Sequence, residues 1–144
     1  MSAALPTAFW PAGWRLDAFD AIDRMSEYFP GDRLTRYPLR FLRYWFVRHL
    51  IEAHAKALGR PLDVLEVGVD RGQMLTFMMS GSASGRPSIL QRWDAVDIAG
   101  DPAMLAAKGY THYNRFNVES GARPALDRHY DVVVYLHLLE HLHT

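Results

Sequence analysis

Four short runs with the character of β-strands, separated by stretches of helical character, set the strongest limit on how this chain can fold. The runs are DVLEV at 63–67, RWDAVDI at 92–98, THYNRFNV at 111–118 and YDVVVYL at 130–136. Helices are predicted between the first three runs, at 72–79 and 101–109, and a polar connector precedes the fourth. This alternation is typical of a parallel sheet with right-handed crossovers. We therefore predict an α/β fold with a doubly wound, Rossmann-like parallel sheet.

Local signals place the helix at 101–109 more closely than the other elements. Asp101 suits the N-cap, Pro102 suits the first turn, and Gly109 suits the stop after the last turn. The third run is more polar than the others, so we expect it at an edge of the sheet.

The first 61 residues are expected to form an N-terminal arm and helices, ahead of a sheet domain at 62–144. A short helix is predicted at 16–28 and an amphipathic one at 38–58. The apolar stripe of the helix at 38–58 is expected to pack against the sheet. It comprises Leu39, Leu42, Phe46, Leu50, Ala53 and Ala57. Arginines interleave with aromatic residues at 39–50, so a surface facing lipid or nucleic acid is the alternative interpretation.

The composition limits the classes of partner and the cellular compartment that suit this chain. The 144 residues suit one domain, and sixteen basic residues balance sixteen acidic ones, which gives no global case for a nucleic-acid partner. The absence of cysteine excludes disulfides and thiolate chemistry and fits a reducing compartment. The beginning of the chain lacks the pattern of a secretory signal, and no apolar stretch approaches the roughly 20 residues that span a bilayer. A cytoplasmic protein without a membrane partner is expected.

Polar residues mark the ends of the predicted strands. Glu66, Asp97, Asn117 and Tyr135 all fall at carboxyl ends, where ligands of doubly wound sheets bind. Burying a carboxylate such as Glu66 is costly unless a positive or hydrogen-bond-donating group meets it.

The four motifs VLEVGVDRG, WDAVDI, FNV and YDVVVYLHLLEHL, in this order, resemble class I S-adenosylmethionine-dependent methyltransferases. The resemblance covers about 62–142, and the LEH at 139–141 is similar to that of small-molecule methyltransferases. It implies S-adenosyl-L-methionine as cofactor and a small-molecule acceptor, with oxygen as the first choice of methylated atom. The alternative is a non-catalytic module, or inactive fragment, that binds S-adenosylmethionine or S-adenosylhomocysteine. A nicotinamide-dependent dehydrogenase is disfavoured because GVDRGQ does not match G-x-G-x-x-G.

The resemblance also implies roles for individual residues. Glu66 would lie near the methionine end of the cofactor, Asp97 would accept from the ribose hydroxyls, and Ile98 would lie against the adenine. Backbone carbonyls near Tyr135 and Leu136 would hold the methionine ammonium. The full set of expected cofactor contacts is Glu66, Gly68, Val69, Asp70, Gly72, Asp97, Ile98, Asn117, Val118, Tyr135 and Leu136.

Three features depart from the family pattern. Asp70 replaces its usual middle glycine, and a Gly/Ser-rich stretch lengthens the connection between the first two strands. The sequence also ends soon after the fourth strand, so a strand order of 3-2-1-4 would lack the later strands. Because an open apolar edge at 130–136 favours pairing, we expect either a piece of a longer protein or a homo-oligomer formed through this edge.

The polar residues that follow the fourth strand allow three interpretations. His141 is a candidate general base that would take a proton from an acceptor hydroxyl. His137, Glu140 and His141 are alternatively a metal site, since histidine and carboxylate suit divalent metals. The simplest interpretation is a solvated helix start, and our prediction includes no metal.

Overall fold

The computed structural model describes residues 42–80 and 87–136. Two compact units divide the chain, Met1–Leu50 and Ile51–Thr144. The helix predicted at 16–28 lies outside the described residues, as do His137, Glu140 and His141.

The helices and strands of the described residues follow the predicted alternation. β1 and β2 each begin earlier than predicted, whereas α3, β3 and β4 are shorter than predicted. They are α1 (Leu42–Leu58), β1 (Leu62–Val67), α2 (Gln73–Ser80), β2 (Leu90–Asp97), α3 (Pro102–Ala107), β3 (His112–Arg115), a 3₁₀ turn (Val118–Ser120) and β4 (Val132–Tyr135). Asp101 caps α3 by accepting from the amides of Ala103 and Met104, and Gly109 follows its end with φ 100°. Both signals were present in the sequence.

The sheet has the order β3-β2-β1-β4, and every pair of neighbouring strands is parallel. The predicted Rossmann-like architecture and strand order are therefore confirmed for the described strands. β1 lies inside the sheet, and five of its six residues are buried, as expected of a central parallel strand. β3 lies at an edge, as predicted. It ends at Arg115 rather than 118. The amide of Phe116 still donates to the carbonyl of Asp97 at 2.8 Å, and its side chain packs on the sheet.

The two faces of the sheet are covered differently. Glu66 of β1 is in register with Ala95 of β2, and neighbours in register share a face. Tyr110, which follows α3, reaches this face because its hydroxyl donates to Glu66. The opposite face presents Leu65, Val67 and Val96, on which Phe116, Val118 and Tyr130 pack. Those three belong to the connection from β3 to β4, which must cross the sheet because its two strands lie at opposite edges.

A buried ion pair lies on the face that this connection covers. Asp94 is 1% exposed, and the Nε of Arg92 donates to its two carboxylate oxygens at 2.7 and 2.6 Å. The hydroxyl of Tyr130 donates to Oδ2 of Asp94 at 2.7 Å. Burial and this bond raise the pKa of Tyr130 above its ordinary value. Both oxygens of the buried carboxylate thus accept hydrogen bonds, which offsets part of the cost of removing it from water.

A second polar group fixes the beginning of β4 against β1. The amide of Asp131 donates to the carbonyl of Asp63, and the amide of Asp63 donates to Oδ2 of Asp131, both at 2.9 Å or less. Arg60 donates to both oxygens of Asp131, at 2.5 and 3.0 Å. These contacts hold the pKa of the Asp131 carboxyl below its ordinary value. They also fix the register of β4 against β1.

The members of the predicted apolar stripe of α1 whose exposure the structure describes are all exposed. Phe46 and Leu50 are 40% and 50% exposed, and Ala53 is exposed as well. Among the residues of α1 whose exposure the structure describes, the buried ones are Tyr44, Ile51 and Ala55. Apolar residues occur on two sides of this helix, so periodicity alone could not identify the buried side.

β4 pairs with β1, and its outer side has no strand beside it among the described residues. Val133 and Tyr135 are 46% and 52% exposed, whereas Val134 between them is buried. In the part of the chain that the structure describes, no helix has the length and apolar character needed to cross a bilayer.

Candidate functional site

Two loops meet at the carboxyl ends of β1 and β2. The first runs from Gly68 to Gly72 and the second from Ile98 to Asp101. The amide of Gly68 donates to the carbonyl of Val96 at 2.9 Å, so the first loop begins as a continuation of the ladder. Adjacent strand ends therefore bring the two loops together, as the doubly wound topology predicts.

Asp97 joins the two loops. Its Oδ2 accepts from the amide of Asp70 at 2.9 Å, and its Oδ1 accepts from the amide of Ala99 at 3.1 Å. The residue is half-buried. A carboxylate has about four acceptor positions, so two backbone donors leave room for two more donors from a ligand.

The first loop takes its shape from three residues with left-handed backbone. Gly68, Asp70 and Gly72 have φ values of 76°, 46° and 70°. A side chain is strained at such φ values, although aspartate tolerates them better than most residues. This conformation turns the amide of Asp70 toward Asp97, while the Asp70 side chain is exposed.

Gly72 is required by packing inside the protein. A Cβ atom at this position would lie 2.8 Å from Cε2 of Tyr110 and 3.2 Å from Cδ of Lys108. Lys108 in turn donates from Nζ to the carbonyl of Arg71. A side chain at Gly72 would therefore collide with a tyrosine ring of the protein itself. The sequence predicted that this glycine would lie against the cofactor.

Glu66 lies beneath the first loop and is 3% exposed. Its Oε2 accepts from Nε1 of Trp93 at 2.9 Å and from the hydroxyl of Tyr110 at 2.7 Å. The donors that a buried carboxylate requires are thus supplied by two neutral side chains, from β2 and from the residue after the α3 stop.

Burial raises the pKa of Glu66 to about 7, and the negative charge of Asp97 adds to this rise. The hydrogen bonds from Tyr110 and Trp93 act in the opposite direction but do not cancel the effect of burial. Glu66 therefore changes its charge near neutral pH, which an ordinary glutamate does not do.

β3 supports the second loop. The Nε of Arg115 donates to the carbonyl of Ile98 at 3.0 Å, and the hydroxyl of Tyr113 donates to the carbonyl of Asp97 at 3.3 Å. A Cβ at Gly100 would lie 2.9 Å from the Tyr113 ring. Side chains of β3 thus contact the second loop, and Ile98, which follows Asp97, is 56% exposed.

The remaining predicted contacts are more dispersed. Asn117 caps the 3₁₀ turn by accepting from the amide of Glu119 at 2.9 Å, and Val118 packs on the sheet. Val69 is buried, so its backbone is the part that could face a ligand. Tyr135 and the half-buried Leu136 lie at the end of β4, beside β1.

Sequence reasoning missed Trp93, Tyr110, Tyr113 and Arg115. Trp93 lies two residues before Ala95 and therefore on the same strand face, but that this face carries Glu66 follows from the register of β1 and β2, which the sequence does not show. Tyr110 had no signal, since it follows a helix stop and its contact with Glu66 spans 44 positions.

The histidine and glutamate residues considered as a base or metal site, His137, Glu140 and His141, cannot be placed because they lie outside the described residues. Within the described ranges, no cluster of three or more histidine, aspartate or glutamate side chains could hold a metal ion.

Comparison of the chain with protein-family models, with curated proteins and with solved structures found no match. The site must therefore be interpreted from its own geometry and from the sequence motifs.

Proposed function

We propose that this chain binds S-adenosylmethionine at the carboxyl ends of β1 and β2 and takes part in methyl transfer to a small-molecule acceptor. Oxygen is our first choice of methylated atom. The observation that carries the proposal is the position of Asp97. It is half-buried at a strand end, its carboxylate is fixed by the amides of Asp70 and Ala99, and it retains acceptor capacity for a vicinal diol.

The residues around Asp97 suit the other parts of such a nucleoside. Ile98 offers an exposed apolar surface next to the carboxylate, which suits the face of an adenine. Glu66 can become an anion on the β1 side, where a positive charge would favour its ionised form. Together these residues would bind the ribose, the base and the cationic end of one ligand.

The chemistry of methyl transfer demands little from the protein beyond alignment. The sulfonium supplies a methyl group that is already activated, so orientation of the acceptor and exclusion of water provide most of the acceleration. A hydroxyl acceptor must also lose its proton, for which His141 remains the candidate base. The lack of cysteine is consistent with a cytoplasmic setting, which we include in the proposal.

Calorimetric titration with S-adenosylhomocysteine tests the binding step. Wild-type protein should bind, and Asp97→Asn should weaken binding at least tenfold because it removes the charged acceptor. Asp101→Asn is the matched control, since asparagine caps a helix about as well as aspartate and Asp101 serves α3. Equal binding by wild type and Asp97→Asn would contradict the proposed site.

A transfer assay with S-adenosylmethionine labelled in its methyl group then tests catalysis. Label should appear in hydroxyl-bearing acceptors from a panel that also includes amines and thiols. Tight binding with no transfer to any of them would favour a non-catalytic binding module.

A further inference from the structure

Glu66 is a buried carboxylate whose hydrogen bonds come from neutral groups. Trp93 and Tyr110 both donate to Oε2, and no cation among the described residues forms an ion pair with it. When this carboxylate is ionised, it accepts two hydrogen bonds, but no positive charge neutralises it.

Among the described residues, burial, two hydrogen bonds and the charge of Asp97 account for the shifted pKa of Glu66, and no cation contributes. Residues 73–80 of α2 contain no ionisable side chain, and β4 places Val134 beside Glu66. β2 contributes Asp97, whose charge opposes ionisation of Glu66. The side chain of Lys108 lies beside Gly72, and its ammonium donates to the carbonyl of Arg71 rather than to Glu66.

We propose that the cluster of Glu66, Trp93 and Tyr110, here called the Glu66 cluster, couples binding of the cationic cofactor to the release of one proton from Glu66 to solvent. This inference rests on the proposed function. The unliganded protein holds Glu66 protonated in mild acid. A cation bound above β1 stabilises the carboxylate, and the two donors already point at the oxygen that gains charge.

The pKa of about 7 for Glu66 places this coupling in an accessible pH range. Below it, each pH unit of increase should strengthen binding of S-adenosylmethionine by up to tenfold, and above it the affinity should level off. S-adenosylhomocysteine lacks the sulfonium charge and should show a shallower rise. After methyl transfer, loss of that charge removes its attraction to the Glu66 carboxylate, so the product should be bound less tightly and Glu66 should take up a proton from solvent again.

Calorimetry of the intact chain in two buffers of different ionisation enthalpy measures the proton count directly. At about pH 6, binding of S-adenosylmethionine should release close to one proton, and at about pH 8.5 close to none. Glu66→Gln should bind without proton release at either pH. Asp101→Asn, which alters a nearby acid outside the cluster, should release protons like the wild type.

Two further variants separate charge coupling from a purely structural role. Trp93→Phe and Tyr110→Phe each remove one donor to the ionised form, so each should shift the midpoint of the pH dependence upward. If Glu66→Gln does not fold, carboxyl-carbon NMR titration of wild-type glutamates, with and without S-adenosylmethionine, gives the same pKa. An unchanged midpoint in both donor variants would overturn the role of the cluster.

The two proposals fail in different ways. No binding of either nucleoside at about pH 8.5, where Glu66 is ionised, overturns the proposed function. Binding whose enthalpy at about pH 6 is the same in both buffers leaves that function intact and overturns the proton coupling.

Discussion

The amide of Asp70 donates to Oδ2 of Asp97 at 2.9 Å, so the loop after β1 is fastened to the end of β2. The carboxylate that we assign to ligand binding is therefore also a structural tie between two loops. Any test of Asp97 must separate these two roles, and stability measured without a ligand isolates the structural one.

Asp97→Ala should lower the free energy of unfolding by about 1–3 kcal/mol, because two backbone donors lose a charged acceptor. Asp97→Asn keeps one oxygen acceptor and should lose less. Urea unfolding followed by circular dichroism measures both. If Asp97→Asn unfolds like wild type but binds S-adenosylhomocysteine weakly, the carboxylate acts on the ligand. If Asp97→Ala is as stable as wild type, the tie between the loops is not significant.

Gly72→Ala tests the packing between the first loop and Tyr110. A left-handed φ alone costs alanine roughly 1 kcal/mol, and the Cβ would also approach the Tyr110 ring to 2.8 Å. We expect a total loss of about 2–4 kcal/mol from strain and overpacking. Urea unfolding of the purified variant gives this value.

Gly59→Ala is the matched control for that substitution. Gly59 has a similar φ of 65°, but nothing lies within 4 Å of a Cβ at this position. It should therefore show the backbone cost of about 1 kcal/mol and no packing cost. Equal losses for the two variants would mean that the contact between Gly72 and Tyr110 has no energetic weight.

The sheet could be predicted from the sequence because its signals are local. β1 and the caps of α3 depend on residues within a few positions of one another, and the parallel order follows from the alternation of elements. Asp97 was also predictable, since a strand end in this topology is a fixed place in space. The structure at β1, α3 and Asp97 could be predicted because it does not depend on a contact with a residue distant in the sequence.

The surroundings of Glu66 could not be predicted for the opposite reason. The sequence showed that a buried acid needs a donor, but Trp93 and Tyr110 become donors through contacts across 27 and 44 positions. The packing of Gly72 could not be predicted for the same reason, because the ring that lies beside it is that of Tyr110. The buried side of α1 was missed because both of its sides carry apolar residues.

Tyr130→Phe tests the buried pair on the other face of the sheet. Removing a hydroxyl that donates to the 1% exposed Asp94 carboxylate should cost about 1.5–3 kcal/mol, as hydrogen bonds to charged groups do. Tyr113→Phe is the control, since its hydroxyl makes a long bond of 3.3 Å to a backbone carbonyl. Thermal unfolding should rank Tyr130→Phe well below Tyr113→Phe, and the reverse order would contradict the structure.

The pH dependence of stability tests Glu66 without any ligand. Its pKa is raised to about 7 in the folded chain from an ordinary value of 4.5, so between these values the folded state keeps a proton that the unfolded state has lost. Stability should therefore fall as pH rises through this range, by about 3 kcal/mol in total. Urea unfolding of wild type from about pH 4.5 to about pH 8 measures the decline.

Glu66→Gln should remove this decline, because an amide does not titrate and can still accept from Trp93 or Tyr110. The difference in unfolding free energy between wild type and Glu66→Gln should therefore change with pH, and Glu66→Gln should gain relative stability above neutrality. Asp101→Asn should leave the wild-type slope in place. A constant difference between wild type and Glu66→Gln across the whole pH range would mean that Glu66 is already ionised in mild acid, and the proton coupling at this site would then be excluded.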